Sequence, residues 1–467
     1  MNSSKPERVV VIGGGFSGVL AAVNLARIGR PPPQITVINA QRPTGRGAAY
    51  STRRMEHLLN VAARNMSVFP DLPDHFVNWL RTRAEFDLVP EAELRERFIP
   101  RMIYGDYLRS LMLHWLPEAE FINGDACDIE PGGVVLLADG RRIEAGRIVL
   151  ATGNEAPADL PGTEELHAHP AWVGDPWLAW HDRLPPDTGS ILLLGTGLTT
   201  VDAIITLRAL GWLGRIHAVS RHGWLPHAHF RGIDYPDFPP PGVDLAELGL
   251  ESLVALMEQH CERLRELGAN PAIIVDKMRP HTQRIWRNFT VQERLEFARR
   301  HAARWNILRH RIAPDIHAQL ASAQLMGQLQ VHAANINRVE AAGSQVRVLL
   351  DGGAQLTADL VINATGPQTR FSSTRSVLLQ NLIRRGLIMP DDMDMGVRVD
   401  SDHTVITPDG ARSDVLLALG PLLRGSLWET IAVPELRGQA MRVAQTLLDQ
   451  TPEAATEPAA VMMEYMI

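Results

Sequence analysis

The chain has 467 residues, 45% of them hydrophobic and 21% charged, with a formal net charge of −7. That length allows about three domain-sized units, and the negative balance gives no reason to expect nucleic acid or an acidic membrane surface as a partner. Its two cysteines, Cys127 and Cys261, stand far apart and outside any CxxC pair, which excludes a disulfide framework and a redox dithiol and fits a reducing, cytoplasmic setting.

The N-terminal MNSSKPER is polar and has no signal-peptide pattern, and no apolar run reaches the roughly 18–20 residues of a membrane span. Residues 9–18, VVVIGGGFSG, then read as a β-branched strand, a glycine turn and the start of a helix. This is the order of a dinucleotide-binding βαβ unit. Gly13 permits the sharp turn, Gly15 lets the backbone approach a pyrophosphate, and Gly18 lets helix and strand pack closely. The free N–H groups of the helix N-terminus, around Ser17, face the anion. The next strand, ITVINA at 35–40, ends in Asn39 where an acid commonly binds the adenosine ribose; an amide can still serve the diol. GRGAAYS at 45–51, with Arg46 and Gly47, reads as backbone lying against a cofactor phosphate or as a plain flexible loop. Residues 57–80 read as loop and helix, and 101–115 as a helix. Tyr104, Tyr107, Leu108, Leu111 and Trp115 fall on one face of that helix, which predicts core.

Two stretches then resemble each other. DGRRIEAGRIVLATG at 139–153 and DGGAQLTADLVINATG at 351–366 each end as an apolar strand running into Ala-Thr-Gly, at Thr152-Gly153 and Thr365-Gly366. Each follows its own fingerprint, because ILLLGTGLTTVDAI at 191–204 repeats the strand, glycine turn and helix. Internal repetition of this kind governs the fold expected: α/β, with two Rossmann-like dinucleotide-binding modules, the second inserted in the first. The second turn has Gly195, Gly197 and Thr199, with Thr200 at the third glycine position, which predicts looser helix packing. Its next strand ends in Ser220-Arg221-His222 without an acid, which suits the 2′-phosphate of NADPH and leaves NADH open.

From about 231 to 330 the character changes to a helical insertion, entered through a proline-rich linker, YPDFPPPGVD. RPHTQRIWRNF at 279–289 and WNILRHRIAP at 305–314 are dense in Arg, His and Trp. They offer Arg279, His281, Arg284, Trp286, His310 and Arg311 as substrate-pocket candidates, or as ordinary charged helix faces. HAH at 227–229, near His222, lacks acidic or cysteine partners, so no metal is expected. From Gly420 the chain reads as strand end, loop and helix, returning to the first module. The expected parts are 1–185 and 367–467 for the first module and 186–366 for the second. Two nucleotide sites suggest electron passage from a nicotinamide to a flavin. Without a cysteine pair, monooxygenation with O2 is the chemistry left, a peroxide at flavin C4a transferring the oxygen.

GGGFSG, GRGAAYS, LNVAARNM, GTGLTTVD, SRHGWLP, WNILRHR, NATGP and GPLLRGSLWETIAVPELR together resemble bacterial FAD/NAD(P)-binding flavoprotein monooxygenases. That group includes a flavin-dependent urate hydroxylase and an aspartate N-monooxygenase. The resemblance is more distant to ornithine and lysine N-hydroxylases. It implies FAD in the outer module and NADH or NADPH in the inner one. Urate is the favoured substrate, converted to 5-hydroxyisourate. The alternatives are N-hydroxylation of an amino acid or amine, and a non-enzymatic FAD-binding redox sensor.

Overall fold

A computed structural model describes residues 8–40, 43–230 and 233–450. The expectations for the N-terminal residues 1–7 and for the end of the C-terminal part, 451–467, lie outside these.

The first strand, β1 (Arg8–Ile12), divides two cores by its period of two. Val9 and Val11 pack with the helix Phe16–Ile28, while Val10 and Ile12 pack on the opposite face. A strand apolar on both faces belongs inside a covered parallel sheet. Its neighbours come from β2 (Gln34–Asn39), β3 (Glu120–Asn123) and β7 (Arg147–Leu150), in the parallel order β3-β2-β1-β7. An antiparallel meander of β4 (Ala126–Glu130), β5 (Val134–Leu137) and β6 (Arg142–Glu144) joins β3 to β7.

The chain then leaves this sheet and builds another. β8 (Trp172–Val173), β9 (Ser190–Leu194), β10 (Arg215–Ser220), β11 (Leu329–Ala333) and β15 (Leu360–Asn363) form a parallel sheet in the order β11-β10-β9-β15-β8. Here too a meander precedes the strand that ends in Ala-Thr-Gly: β12 (Ile336–Ala342), β13 (Gln345–Leu350) and β14 (Gln355–Ala358). β9 repeats the alternation of β1, with Ile191 and Leu193 in one core and Leu192 and Leu194 in another. Only afterwards does the chain return to the first sheet. β16 (Thr404–Ile406) lies antiparallel on β17 (Arg412–Ala418), which is parallel to β7. Trp172–Val173 joins the second sheet ahead of the expected boundary at 186.

Between β10 and β11 the described residues form six α-helices, Gly249–Glu266, Ala272–Met278, Thr282–Asn288, Val291–Arg300, Ala302–Arg309 and Pro314–Leu325. Thr290 and Glu293 form a capping box at the start of Val291–Arg300, and the Glu293 carboxylate also accepts the N–H of Leu250 at 2.8 Å. The proline-rich stretch expected as a linker is instead packed: Tyr235 and Phe238 are buried in the core of the insertion. The helix Arg101–Trp115 spans the expected residues, with Tyr104, Tyr107, Leu108 and Leu111 buried and Trp115 packed at the edge.

Candidate functional site

The two glycine turns have matching geometry. Gly13 has φ +112° and Gly195 has φ +114°, a region open to glycine and strained for other residues. A Cβ on Gly13 would collide with the carbonyl of Ala151, and one on Gly195 with the carbonyl of Ala364, the alanines of the two Ala-Thr-Gly ends. The Gly13 N–H donates to Ile38 O at 2.9 Å and the Gly195 N–H to Val219 O at 2.7 Å. Gly15 and Gly197 take the helix N-cap at φ −81°, ψ −169° and φ −84°, ψ −165°. Each turn thus presents free helix N–H groups beside an extended glycine, the arrangement that accommodates a pyrophosphate.

The third position differs in an instructive way. A Cβ on Gly18 would run into the carbonyl of Gly13. Thr200, at the same offset, instead donates its hydroxyl to the carbonyl of Gly195 at 2.8 Å and is fully buried. The looser packing expected from its β-carbon is corrected: the hydroxyl satisfies the carbonyl that a bare β-carbon would crowd.

Around the first turn, Gly47 lies back to back with Gly15, whose Cβ would stand 3.5 Å from the Gly47 Cα. The Gly45 N–H donates to Gly14 O at 2.7 Å. The Arg46 guanidinium is committed to Asp106, so the main chain of this segment, and not that charge, faces the turn. Asn39 sits at the end of β2 with Nδ2 donating to Thr44 Oγ1 at 3.3 Å. Gly420, at φ +79°, packs on Ser17, and its N–H donates to Gln439 Oε1 at 2.9 Å. Gly153 and Gly366 both have positive φ and open space where a Cβ would be.

The second turn opens onto a cleft of about 750 Å³. Gly195, Gly197, Thr199 and Arg221 line it from one side, Tyr50, Asn60 and Asn154 from the other, and Asn306 and His310 from the insertion. Its charges are mostly matched. Arg101 pairs with Asp202 at 2.6 Å, bridging the two sheets' helices, and Glu56 pairs with Arg54 at 3.0 Å. Arg221 and Arg424 have no carboxylate partner among the described residues; the Arg424 guanidinium reaches only Asn154 Oδ1, at 3.3 Å. Burial pushes its pKa down, so a counter-ion there is favoured. Burial, then the charge of Arg309, pushes His310 down to about 3, so its imidazole is neutral at physiological pH.

Of the insertion candidates, only His310 lines this cleft. Arg311 is buried against Asp276, Arg279 is buried against Glu435 at 3.1 Å, and the exposed Arg284 pairs with Asp244. His281 borders a shallow surface depression with Arg284. Trp286 is core, its Nε1 donating to Gly425 O at 2.7 Å. The density of Arg, His and Trp therefore marks a support built largely behind the cleft. His229, from the HAH stretch, gives Nε2 to the carbonyl of Asn60 at 2.6 Å, tying the segment after β10 to the first unit, and burial lowers its pKa to about 4. Among the described residues no group of His, Cys, Asp or Glu is placed to hold a metal, and no helix is long and apolar enough to cross a membrane. Asn60, Asp202 and Arg424, which also line the cleft, lie inside LNVAARNM, GTGLTTVD and GPLLRGSLWETIAVPELR, stretches whose residue types alone assign them no role.

Residues 10–155 match the model of a family described as FAD-NAD(P)-binding. Comparison with curated proteins finds no match. Solved structures of similar fold include ornithine N-hydroxylase from Kutzneria sp. 744 with reduced FAD, NADP+ and L-ornithine, at TM-score 0.64 and 15% identity over 95% of this chain and 99% of that one. L-Lysine 6-monooxygenase from Pseudomonas syringae is similar at TM-score 0.64 and 18% identity over 96% and 100% of the two chains. FAD-bound cadaverine monooxygenase from Erwinia amylovora is similar at 0.64 and 12% over 97% and 98%. At such identities the likeness is one of fold.

Proposed function

We propose that the protein is an FAD-dependent, NAD(P)H-driven monooxygenase that N-hydroxylates a small amine or amino acid. One observation carries the reading: of two glycine turns of the same geometry, one lines the cleft and the other packs on the segment that lines it. The second opens on it directly, and the first touches Gly47, whose short helix Gly47–Tyr50 lines it. Residues 1–185 and 367–467 are read as the FAD module and 186–366 as the nicotinamide module, nested as Rossmann-like units.

The residues fit these groups. Gly13, Gly15, Ser17 and Gly18 would hold the FAD pyrophosphate. Asn39 would take its ribose, with the main chain of Arg46-Gly47, Thr152-Gly153 and Gly420 alongside. Gly197, where a Cβ would meet nothing within 4 Å, leaves room for the nicotinamide dinucleotide, with Gly195, Thr199 and Thr200 forming the turn and Gly366 at the edge. A bound reduced flavin supplies the activation of O2, for which the side chains offer no substitute. The chain's own part is to bind, orient and screen. Arg424 supplies a fixed cation for a substrate carboxylate, the amides of Asn60 and Asn306 supply hydrogen bonds, and the neutral His310 adds no charge.

Urate C-hydroxylation, favoured by the resemblance, has no support among the solved relatives. Those act on ornithine, lysine and cadaverine, which moves the reading to N-hydroxylation. The hint of a degenerate, non-catalytic second turn rested on Thr200, and its bond to Gly195 keeps that turn's geometry.

The test is to purify the protein with its flavin and follow NADPH oxidation, O2 uptake and hydroxylamine formation with ornithine, lysine, aspartate, cadaverine and urate. At least one amine is expected to give a hydroxylamine. Turnover of urate alone would restore the urate reading, and no turnover with any of them would sink both. A separate expectation concerns Arg221: R221A should weaken NADPH binding by about tenfold to a hundredfold, the size of a lost charge-assisted hydrogen bond, and leave NADH unchanged. Equal loss for both cofactors would remove Arg221 from the 2′-phosphate site.

A further inference from the structure

A second cavity, of about 700 Å³, lies behind the loop that carries Arg424 and shares no lining residue with the cleft. Arg424 and Ile431 face the cleft, whereas Gly425, Ser426, Leu427 and Glu429 face this cavity. The loop is thus a common wall. It is held by Trp428 at φ +58°, packed between Trp286 and Phe297 at ring separations of 4.9 and 5.0 Å.

The charges on the cavity wall do not balance. Four carboxylates pair with arginines: Asp392 with Arg398 at 3.6 Å, Asp400 with Arg412, Glu429 with Arg309 at 3.5 Å and Glu435 with Arg279 at 3.1 Å. Asp391 Oδ1 accepts the backbone N–H groups of Met393 and Met395 at 2.8 and 3.2 Å, while its Oδ2, like Glu435 Oε2, has no hydrogen-bond partner among the described residues. Arg287 and Arg442, by contrast, have no acidic partner among the described residues, and both stand near enough to His403 to lower its pKa, after burial itself, to about 4.

Two buried side chains on the same wall are also unfulfilled. Gln439 is 4% exposed and its Nε2 has no hydrogen-bond partner among the described residues, although its Oε1 accepts from Gly420. His403 is 7% exposed, held at φ +71°, and its Nδ1 has none either. Buried polar atoms without partners are uncommon in folded proteins; Gln439 Nε2 beside cations without acidic partners calls for an acceptor, and the unpartnered carboxylate oxygens nearby can take an O–H. Gly438 keeps the adjoining wall open, since a Cβ there would meet nothing within 4 Å.

We infer that this cavity is a binding site for a small oxyanion, a free phosphate ion or the phosphoryl group of a small metabolite. Arg287 and Arg442 supply the charge and the Gln439 amide supplies a hydrogen bond, while the Nδ1 of the neutral His403, an acceptor, can take only the O–H of a protonated oxyanion. The site is separate from the cleft and does not depend on which substrate the cleft takes.

The test is equilibrium binding of inorganic phosphate and of glycerol 3-phosphate to the flavin-loaded full chain. R287Q/R442Q is expected to weaken binding at least tenfold, R287K/R442K to retain most of it, and R221A, which removes a cation of the cleft that has no carboxylate partner among the described residues, to leave this affinity unchanged. Phosphate binding alone would identify the ligand as the free ion, and comparable binding of glycerol 3-phosphate as a phosphoryl group. Binding of neither, or binding abolished by R221A and indifferent to R287Q/R442Q, would overturn the site. Circular dichroism and flavin absorbance of the double variant show that it is folded before its affinity is read.

Discussion

G13A is expected to give a chain that retains no FAD and is destabilised by about 3–5 kcal/mol, or does not fold. At φ +112° an alanine is strained before any contact is counted, and its Cβ would fall inside the carbonyl of Ala151. Relief requires β1 to move away from β7, to which it is paired from Val9 through Ile12. Both cores that β1 separates would then lose packing. The control is G197A at the second turn. There φ is −84° and a Cβ meets nothing within 4 Å, so stability should stay within about 0.5 kcal/mol of the parent while the NAD(P)H KM rises. Thermal unfolding and the flavin absorbance of the purified proteins separate the two. A G13A protein with full flavin and an unchanged Tm would show that the turn tolerates a side chain.

The contrast between these glycines explains what could be read from the residues and what could not. The strand and turn at 9–18 are local: β-branched residues followed by glycines dictate both the extended run and the positive φ. The duplication was legible for the same reason, because each Ala-Thr-Gly closes against its own glycine turn, Ala151 on Gly13 and Ala364 on Gly195. Long-range partners left no such mark. Arg279, Trp286 and Arg311 look like pocket residues in the sequence because charge and aromaticity cluster there. Their partners are Glu435, Gly425 and Asp276, the first two from the C-terminal loop and helix and more than a hundred positions away. Whether an arginine faces a cleft or a buried carboxylate is decided by that tertiary pairing. Arg424 is the converse case. Nothing in its neighbourhood of the sequence sets it apart from the other arginines; it stands out because the fold buries its guanidinium at the cleft and brings it no acid among the described residues.

E435Q is expected to cost about 3–5 kcal/mol, measured by urea unfolding at pH 7. Glu435 lies in the first turn of the helix Val433–Leu447, buried, and accepts from Arg279 at 3.1 Å and Arg309 at 3.3 Å. Burial alone would raise its pKa; the charges of Arg279 and Arg309 outweigh it and hold the carboxyl below its ordinary value. A depressed folded-state pKa means that the contribution is present above the unfolded-state pKa and is lost as pH falls through the folded one. The parent should therefore lose stability on acidification through the carboxylate range, and E435Q should lose less, the two curves converging at low pH. The amide leaves two buried guanidiniums short of a negative charge, and Arg309 keeps Glu429 at 3.5 Å. That gives a second handle. E435Q/R279M removes the other of these two cations and should recover part of the loss, because replacing both members of a buried pair by groups of similar volume is far milder than removing one. If E435Q unfolds at the parent's urea midpoint, or if R279M adds to its cost in full, the pair does not fasten the insertion to the C-terminal helix. In that case the loop between them, with Arg424 on one side and the oxyanion cavity on the other, would have to be held by its tryptophans alone.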